Sequence, residues 1–357
     1  MMRSVICYFH HVSHVLNLGS IPDLLKVRGW QVRCFCAFSA DVYPLARAPG
    51  IEYRFDVPLS LLESQEADLY LTPLVGQATC FPKRALRVHF LVSLVSLEGV
   101  YDASMFDHYD AIACAGRNHI EEFLALGKAR GWQGKVLMSV GYPKLDGQRK
   151  LLGYAHSALP NDPVTVVFAP THAYYANSQF SVLGQYGEPI VEALITAGIK
   201  VVFRPHMESW RDQDRPVVER IVSRFNKHDL FSLDRSANYH QSYAKSHLML
   251  TDISGTGFTY AFAFSKPALF FAPDLDSEAG KVGIQFECRE NIGLVIRNLS
   301  ELVERVRLVM LHMAFVRQQV ADFRDWLIFN PESSENYFAS NIEALFSERM
   351  PADWVRM

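Results

Sequence analysis

The sequence predicts an α/β protein with two Rossmann-like domains, whose parallel sheets face a central cleft. The chain has 357 residues, more than the roughly 100–200 of a typical domain. Short apolar strands alternate with helical segments, an order that is typical of parallel sheets. The alternation breaks over residues 147–163, which end in the turn cluster Asn161-Asp162-Pro163, and it restarts at residue 164. A cleft between two such halves is the usual place for a ligand.

The break in this alternation sets the expected domain boundaries. We expect an N-terminal domain over residues 1–155 and a C-terminal domain over residues 156–330. Residues 331–357 are expected to form a C-terminal helix that packs back on the N-terminal domain, because apolar side chains recur there at helical spacing.

The individual elements are predicted from apolar runs and from the glycines, prolines and polar clusters that bound them. In the first half, strands are expected at 4–9, 32–38, 68–71, 86–92 and 110–115, and helices at 21–25 and 118–126. In the second half, strands are expected at 164–170, 199–206, 230–234, 248–252 and 266–273, with helices at 188–198, 300–326 and 335–349.

Composition excludes several classes of protein. The formal charge is −3, from 35 Lys and Arg against 38 Asp and Glu, so no basic surplus points to a nucleic-acid partner. The six cysteines lie mostly within apolar runs, which favours reduced, buried thiols in a cytoplasmic protein. No apolar run reaches the ~18–20 residues that span a bilayer. Peripheral contact with the inner face of the cell membrane stays open.

Polar residues follow three predicted strands of the second half. They are Ala169-Pro170-Thr171-His172, Arg204-Pro205-His206, and the segment from Thr251 to Gly257. Ligands of open α/β sheets bind outside the carboxyl ends of the strands. We therefore expect the three clusters to converge on one binding site.

The third cluster is the most informative, because small residues begin a helix there. Ser254, Gly255, Thr256 and Gly257 offer hydroxyls and backbone N–H groups, which suit a phosphate at a helix N-terminus. Simple helix capping by Ser254 and Thr256 is the alternative, and the same N–H groups serve both. The segment lacks the third glycine and the acidic residue of a dinucleotide fingerprint, and no P-loop motif is present.

Arg204, His206 and His89 are the further candidates for a catalytic or binding role. An Arg guanidinium suits phosphate recognition, and a histidine can donate to phosphate or move protons. His89 lies within the apolar run ALRVHFLV, where it is either a general base that faces the cleft or a core histidine. His10, His11 and His14 follow the first strand without accompanying cysteine or carboxylate ligands, so we predict a cleft-lining loop and no metal.

The ordered motifs GYPKLD (141–146), APTH (169–172), RPH (204–206) and LTDISGTGFTYAFAFSKPALFF (250–271) resemble the CDP-glycerol glycerophosphotransferase family. Its members are teichoic acid primases and polymerases and related capsule enzymes with the GT-B fold. The resemblance implies transfer of an alditol phosphate from a CDP-activated donor to a hydroxyl of a cell-surface polymer or lipid-linked acceptor. It implies no cofactor and no nucleic-acid partner.

The resemblance also implies roles for individual residues. His206 and Arg204 would contact the donor phosphates in the C-terminal domain, together with Ser254 and the backbone of Gly255, Thr256 and Gly257. Asp252 would hold the loop, and Thr171 and His172 would line the donor site.

In the N-terminal domain, which would hold the acceptor, His89 would match the histidine of the family's W-H-G-x-x-x-K motif, and would be the base. The chain reads Val88-His89-Phe90 there, without the glycine and lysine, and Gly255 replaces the second serine of T-D-Y-S-S.

Two alternatives stay open. The S-G-T-G string resembles the nucleotide-binding loop of UDP-N-acetylglucosamine 2-epimerases, so a sugar-nucleotide-dependent GT-B glycosyltransferase or epimerase is one. The residues missing around His89 motivate the other, a non-catalytic nucleotide-binding scaffold of the same fold.

Overall fold

The computed structural model describes residues 2–42, 49–74, 80–98, 100–152, 163–174, 178–236, 239–273, 278, 280–347 and 349–357. The chain divides into two compact units. Unit 1 consists of Met1–Gly147 and Asp325–Met357, and unit 2 of Gln148–Arg324. The boundary expected between residues 155 and 156 lies outside the described residues.

Unit 1 contains an eight-stranded sheet in the order β14-β7-β6-β5-β4-β1-β2-β3. The pairs are parallel except β14, which runs antiparallel to β7. The strands are β1 (Ser4–Phe9), β2 (Gln31–Cys36), β3 (Glu52–Arg54), β4 (Leu69–Thr72), β5 (Leu86–Phe90), β6 (Ala111–Cys114), β7 (Val136–Ser139) and β14 (Val355–Arg356).

Helices cover the sheet of unit 1 where apolar residues recur at helical spacing. They are α1 (His14–Leu18), α2 (Ile21–Val27), α3 (Arg117–Arg130), α4 (Pro143–Leu152, which crosses into unit 2) and α12 (Ser334–Asn341). Pro22 lies in the first turn of α2, where its missing N–H leaves no bond unmade. Gly131 ends α3 in the left-handed conformation, with φ of 68°.

The C-terminal residues complete the core of unit 1. Phe338 and Ile342 are fully buried and share one apolar cluster with Ile21 and Leu25 of α2. The structure therefore assigns residues 325–357 to the same unit as the N-terminus.

Unit 2 contains a six-stranded parallel sheet in the order β10-β9-β8-β11-β12-β13. Its strands are β8 (Thr165–Phe168), β9 (Lys200–Phe203), β10 (Phe231–Leu233), β11 (Leu248–Thr251), β12 (Ala268–Phe271) and β13 (Gly293–Ile296). Its helices are α5 (Leu183–Thr196), α6 (Arg215–Phe225), α7 (His240–Lys245), α8 (Gly255–Phe264), α9 (Ile284–Glu287), α10 (Leu302–Leu311) and α11 (Met313–Leu327, which crosses into unit 1).

The α/β class with two parallel sheets is confirmed, and the differences are local. The sequence missed the strands β3, β7, β13 and β14, which have two to four residues each. It also missed α4, which extends to Leu152, into the expected break over residues 147–163. The helix expected over residues 300–326 is divided into α10 and α11 at His312. In the part of the chain that the structure describes, no helix combines the length and apolar character needed to cross a bilayer.

Replacing Phe338 by Ala tests the contribution of the C-terminal segment. The Phe338 ring is fully buried and packs edge-on against Phe90, with 4.9 Å between ring centroids. We expect the free energy of unfolding to fall by about 3–5 kcal/mol in a urea titration, since a large cavity remains. Phe315→Ala is the matched control, because that side chain is 70% exposed and its loss should cost under about 0.5 kcal/mol. Equal unfolding midpoints for the two variants would contradict this packing.

Candidate active site

The three polar clusters of unit 2 follow neighbouring strands. β8 lies between β9 and β11 in the sheet, so the carboxyl ends of all three meet at one edge. The loop after β8 contacts both of the others. The structure thus brings the three clusters into contact, and binding of a ligand at this edge stays a prediction.

Asp252 is the polar centre of this edge. Its buried carboxylate accepts hydrogen bonds from the Thr171 N–H at 2.9 Å, from the Val182 N–H at 3.2 Å and from the Thr171 hydroxyl. Burial raises the pKa of Asp252, and the bonds from Thr171 and Val182 oppose that rise. Beside it, the Thr251 hydroxyl donates to the Ala169 carbonyl at 2.6 Å. Asp252 thus fixes the loop after β8 to the end of β11.

His172 and His206 stack on each other across the ends of β8 and β9. Their ring centroids are 4.2 Å apart, with 19° between the ring planes. His206 Nδ1 accepts the Glu208 N–H at 3.2 Å, so its neutral form carries the proton on Nε2.

The charge state of the pair follows from this packing. The pKa of His206 is lowered to about 4, first by desolvation of the ring under its neighbours and then by the charges of His172 and Arg204, although part of the residue is exposed. The pKa of His172 is lowered as well, mainly by burial. At neutral pH His206 is therefore an uncharged donor through Nε2–H, suited to a phosphate oxygen rather than to proton abstraction.

Arg204 is engaged within unit 2. Its Nη1 lies 2.7 Å from Oδ2 of Asp234, and its Nη2 donates to the Ser236 carbonyl at 2.9 Å. The guanidinium also lies 5.5 Å from the centroid of the Tyr239 ring. Much of its charge is offset by Asp234, so a phosphate would compete with that carboxylate for Arg204.

The N-terminus of α8 has the geometry of a capped helix. The Ser254 hydroxyl accepts the Thr256 N–H at 3.3 Å. A Cβ on Gly257 would lie 3.0 Å from the Phe270 ring, so close packing of α8 on β12 explains that glycine. Phosphate binding by residues 254–257 stays a prediction, and capping accounts for the hydrogen bond that Ser254 makes.

His89 lies in the interior of unit 1 and is fully buried. Its ring is surrounded by Tyr101, Phe106 and Tyr109 at centroid distances of 5.9, 5.4 and 5.0 Å. Neither ring nitrogen has a hydrogen-bond partner among the described residues. Burial, with a smaller effect of His14, lowers the pKa of His89 to about 3. The role of His89 as a base stays a prediction. It requires that the three surrounding aromatic rings move enough for the acceptor to reach the imidazole.

The histidines after β1 divide into two environments. His10 and His11 are exposed, whereas His14 is buried. Over the described ranges, no group of three or more His, Cys, Asp and Glu side chains is arranged to hold a metal ion.

Comparison with models of protein families gives a match. The model of the family described as CDP-Glycerol:Poly(glycerophosphate) glycerophosphotransferase matches residues 102–336, more than half of the chain. The chain belongs to this family. It is therefore a transferase of the glycerophosphotransferase type, and a comparison with curated protein sequences gives no match.

Solved structures share the fold of this glycerophosphotransferase at low identity. A variant of the wall teichoic acid polymerase TagF, soaked with CDPG, has a TM-score of 0.62 and 13% identity, over 96% of this chain and 88% of that one. MnaA of S. aureus, solved with UDP, has a TM-score of 0.64 and 14% identity, over 99% of this chain and 100% of that one. Alr3699/HepE of Anabaena, solved with UDP-glucose, has a TM-score of 0.56 and 11% identity, over 96% of this chain and 100% of that one. The fold is of the GT-B type.

Sequence reasoning missed three polar residues that support the site of this glycerophosphotransferase. Asp234 pairs with Arg204, Asp214 accepts the Ala173 N–H at 2.8 Å, and the Ser181 hydroxyl donates to the Thr171 carbonyl at 2.5 Å. Asp234 is the last residue of the strand predicted at 230–234, but only the strand order of the sheet places β10 beside β9 and so brings Asp234 to Arg204. The other two lie away from strand ends, so no sequence pattern marks them.

Replacing His89 by Leu tests the burial of its ring. The pKa of His89 is about 3 in the folded protein and 6.5 for the free side chain. Because the unfolded chain binds the proton at higher pH than the folded protein, the contribution of His89 to the free energy of unfolding is complete above pH 6.5 and is lost as the pH falls towards 3. Between pH 8 and pH 5 the wild type should lose about 2 kcal/mol more unfolding free energy than His89→Leu. Urea titrations at the two pH values measure this difference. The exposed-site variant His312→Leu should behave like the wild type, and an unchanged pH dependence in His89→Leu would contradict the enclosed ring.

Proposed function

We propose that this glycerophosphotransferase moves glycerol phosphate from CDP-glycerol to a hydroxyl of a cell-surface polymer or of a lipid-linked acceptor. The observation that supports it most is the family match, which includes all of unit 2 and with it the polar edge of β8, β9 and β11. A lipid-linked acceptor is anchored at the membrane by its lipid. We accordingly propose that the enzyme works at its cytoplasmic face through peripheral contact.

Unit 2 is proposed to hold the donor and unit 1 the acceptor. Asp252 fixes the loop after β8, which positions His172 against His206. The Nε2–H of His206 would then donate to a donor phosphate, and the Ser254 hydroxyl with the N–H groups of residues 255–257 would bind the diphosphate at the start of α8. Arg204 would contribute charge after exchanging Asp234 for phosphate.

The proposed reaction is a displacement at phosphorus. The acceptor oxygen forms a new bond to the phosphorus that bears glycerol, and the bond from that phosphorus to the bridging oxygen breaks, so CMP leaves. The hydroxyl proton passes to a base, for which His89 is the candidate. Fixed hydrogen-bond donors such as His206 stabilise the charge that develops on the leaving phosphate.

Replacing His206 by Ala tests the donor site. Removing one N–H donor to a phosphate should weaken binding of CDP about tenfold in isothermal titration calorimetry. His312→Ala, an exposed histidine of unit 2, is the control and should bind as the wild type does.

The same titrations with UDP, CMP and GDP, with and without magnesium, discriminate between functions. A preference for UDP would favour the glycosyltransferase or epimerase alternative. No binding of any nucleotide would leave the scaffold alternative and reject the transferase mechanism.

Replacing His89 by Ala tests the base. Loss of a general base should lower the turnover number roughly 10²–10⁴-fold, while the dissociation constant of CDP stays unchanged. Release of CMP from CDP-glycerol in the presence of acceptor is the measurement. Wild-type turnover in this variant would show that another group takes the proton.

A further inference from the structure

Lys144 is a cation without an anionic partner. It is the second residue of α4 and is partly buried. Its ammonium group makes no hydrogen bond and no ion pair within the ranges that the structure describes. Burial is the cause of the lowered pKa of Lys144. Part of the Lys144 side chain is open to solvent, so its ammonium group is available to an anion from outside the chain.

Lys135 and Lys266, which are more deeply buried than Lys144, show the contrast. Lys135 Nζ donates to the carbonyls of Phe106 and Tyr109, the first at 2.7 Å. Lys266 Nζ donates to three carbonyls, those of residues 243, 244 and 246, at 3.0, 2.7 and 2.6 Å. Those two lysines have structural roles that their bonds explain. No such bonds explain Lys144.

A second group without a partner lies beside Lys144. His14 is only 8% exposed, and its Nδ1 has no hydrogen-bond partner among the described residues. The pKa of His14 is lowered to about 4, mainly by burial and to a smaller extent by the charges of His11, His10 and Lys144. The His11 and His14 rings meet edge-on at 6.3 Å. We call His10, His11, His14 and Lys144 the Lys144 cluster.

Hydrogen bonds at the carboxyl edge of the unit 1 sheet hold this cluster together. Asn17 of α1 donates to the Tyr142 hydroxyl at 3.4 Å and to the Leu91 carbonyl at 3.1 Å. Tyr142 donates to the Val92 carbonyl at 2.7 Å. A Cβ on Gly19 would lie 3.5 Å from Cβ of Pro143. These contacts fix α1, which carries His14, against the start of α4, which carries Lys144.

The cluster has the charge and access that an anion needs. Within the described ranges, none of the four side chains forms an ion pair with a carboxylate. The carboxylate of Glu335 accepts the Ser20 N–H at 2.8 Å, at the other end of α1 from His14. His10 and His11 are exposed and Lys144 is partly so, which leaves the cluster open to a ligand. A phosphate would supply the missing acceptors for the ammonium and imidazole N–H groups.

We propose that the Lys144 cluster binds a phosphate group of the acceptor. The assignment of this phosphate to the acceptor rests on the proposed function, in which unit 2 binds the phosphates of the donor. The phosphate that is left for unit 1 is the one that the acceptor carries next to its attacking hydroxyl. A glycerol-phosphate polymer and a lipid-linked primer share this chemistry, and kinetic assays with each distinguish them.

Titration with sn-glycerol 3-phosphate tests the site directly. We expect saturable binding to the full chain in calorimetry, at least about tenfold weaker in Lys144→Met, because a charge-assisted bond is lost. Lys128→Met is the matched control, since Lys128 is exposed on α3 of the same unit. Glycerol is the neutral probe and should not bind. His11→Ala is a second variant on the surface of the cluster and should weaken binding even if Lys144→Met does not fold.

Two further measurements decide the assignment. With CDP present at saturation, binding of glycerol 3-phosphate should persist, and its abolition would overturn the acceptor assignment in favour of the donor. In transfer assays, Lys144→Met should raise KM for the phosphate-bearing acceptor about tenfold or more without changing CDP affinity.

The two proposals fail in distinguishable ways. If transfer from CDP-glycerol is measured and KM is the same in the wild type and Lys144→Met, the cluster is not an acceptor site although the proposed function holds. If no transfer occurs but glycerol 3-phosphate binds and Lys144→Met weakens it, the proposed function fails and the phosphate site stands. If the wild type, Lys144→Met and His11→Ala bind glycerol 3-phosphate with equal affinity, the Lys144 cluster is not a phosphate site.

Discussion

The buried carboxylate of Asp252 is the constraint on which the site in unit 2 depends. A carboxylate is tolerated in an apolar interior only when hydrogen bonds replace its hydration. Here the replacements come from Thr171 and Val182, both in the segment after β8. The cost of burying one charge therefore fixes the path of that segment. The stack of His172 on His206 is possible because of that path.

The sequence predicted the parts of this arrangement that strand ends determine. Parallel sheets place the residues after each strand at a common edge, so residues 169–172, 204–206 and 251–257 could be grouped before any coordinates. Asp234, the partner of Arg204, could not be grouped with these residues. It follows β10, and only the strand order of the sheet places β10 beside β9. The environment of His89 was also open, since strands of a parallel sheet are buried on both faces and give no alternation to read.

Lys144 shows a second limit of sequence reasoning. Its motif was recognised by resemblance, yet a lysine near a domain boundary reads as solvent-exposed. Only the folded structure shows that Asn17 and Tyr142 hold α1 against the start of α4, and so bring His14 to Lys144. Interactions between residues more than a hundred positions apart leave no local pattern. The signals that remained in the sequence were thus those of strand ends and helix starts.

Unit 1 is discontinuous, and this has a consequence for biosynthesis. Residues 325–357 leave the ribosome after every residue of unit 2, so the nascent chain can bury the core of unit 2 first. Until α12 emerges, Ile21 and Leu25 of α2 lack Phe338 and Ile342, with which they share a cluster in the finished protein. The part of the chain that is made first is therefore completed last. During that interval the N-terminal segment presents an apolar surface of the kind that chaperones bind.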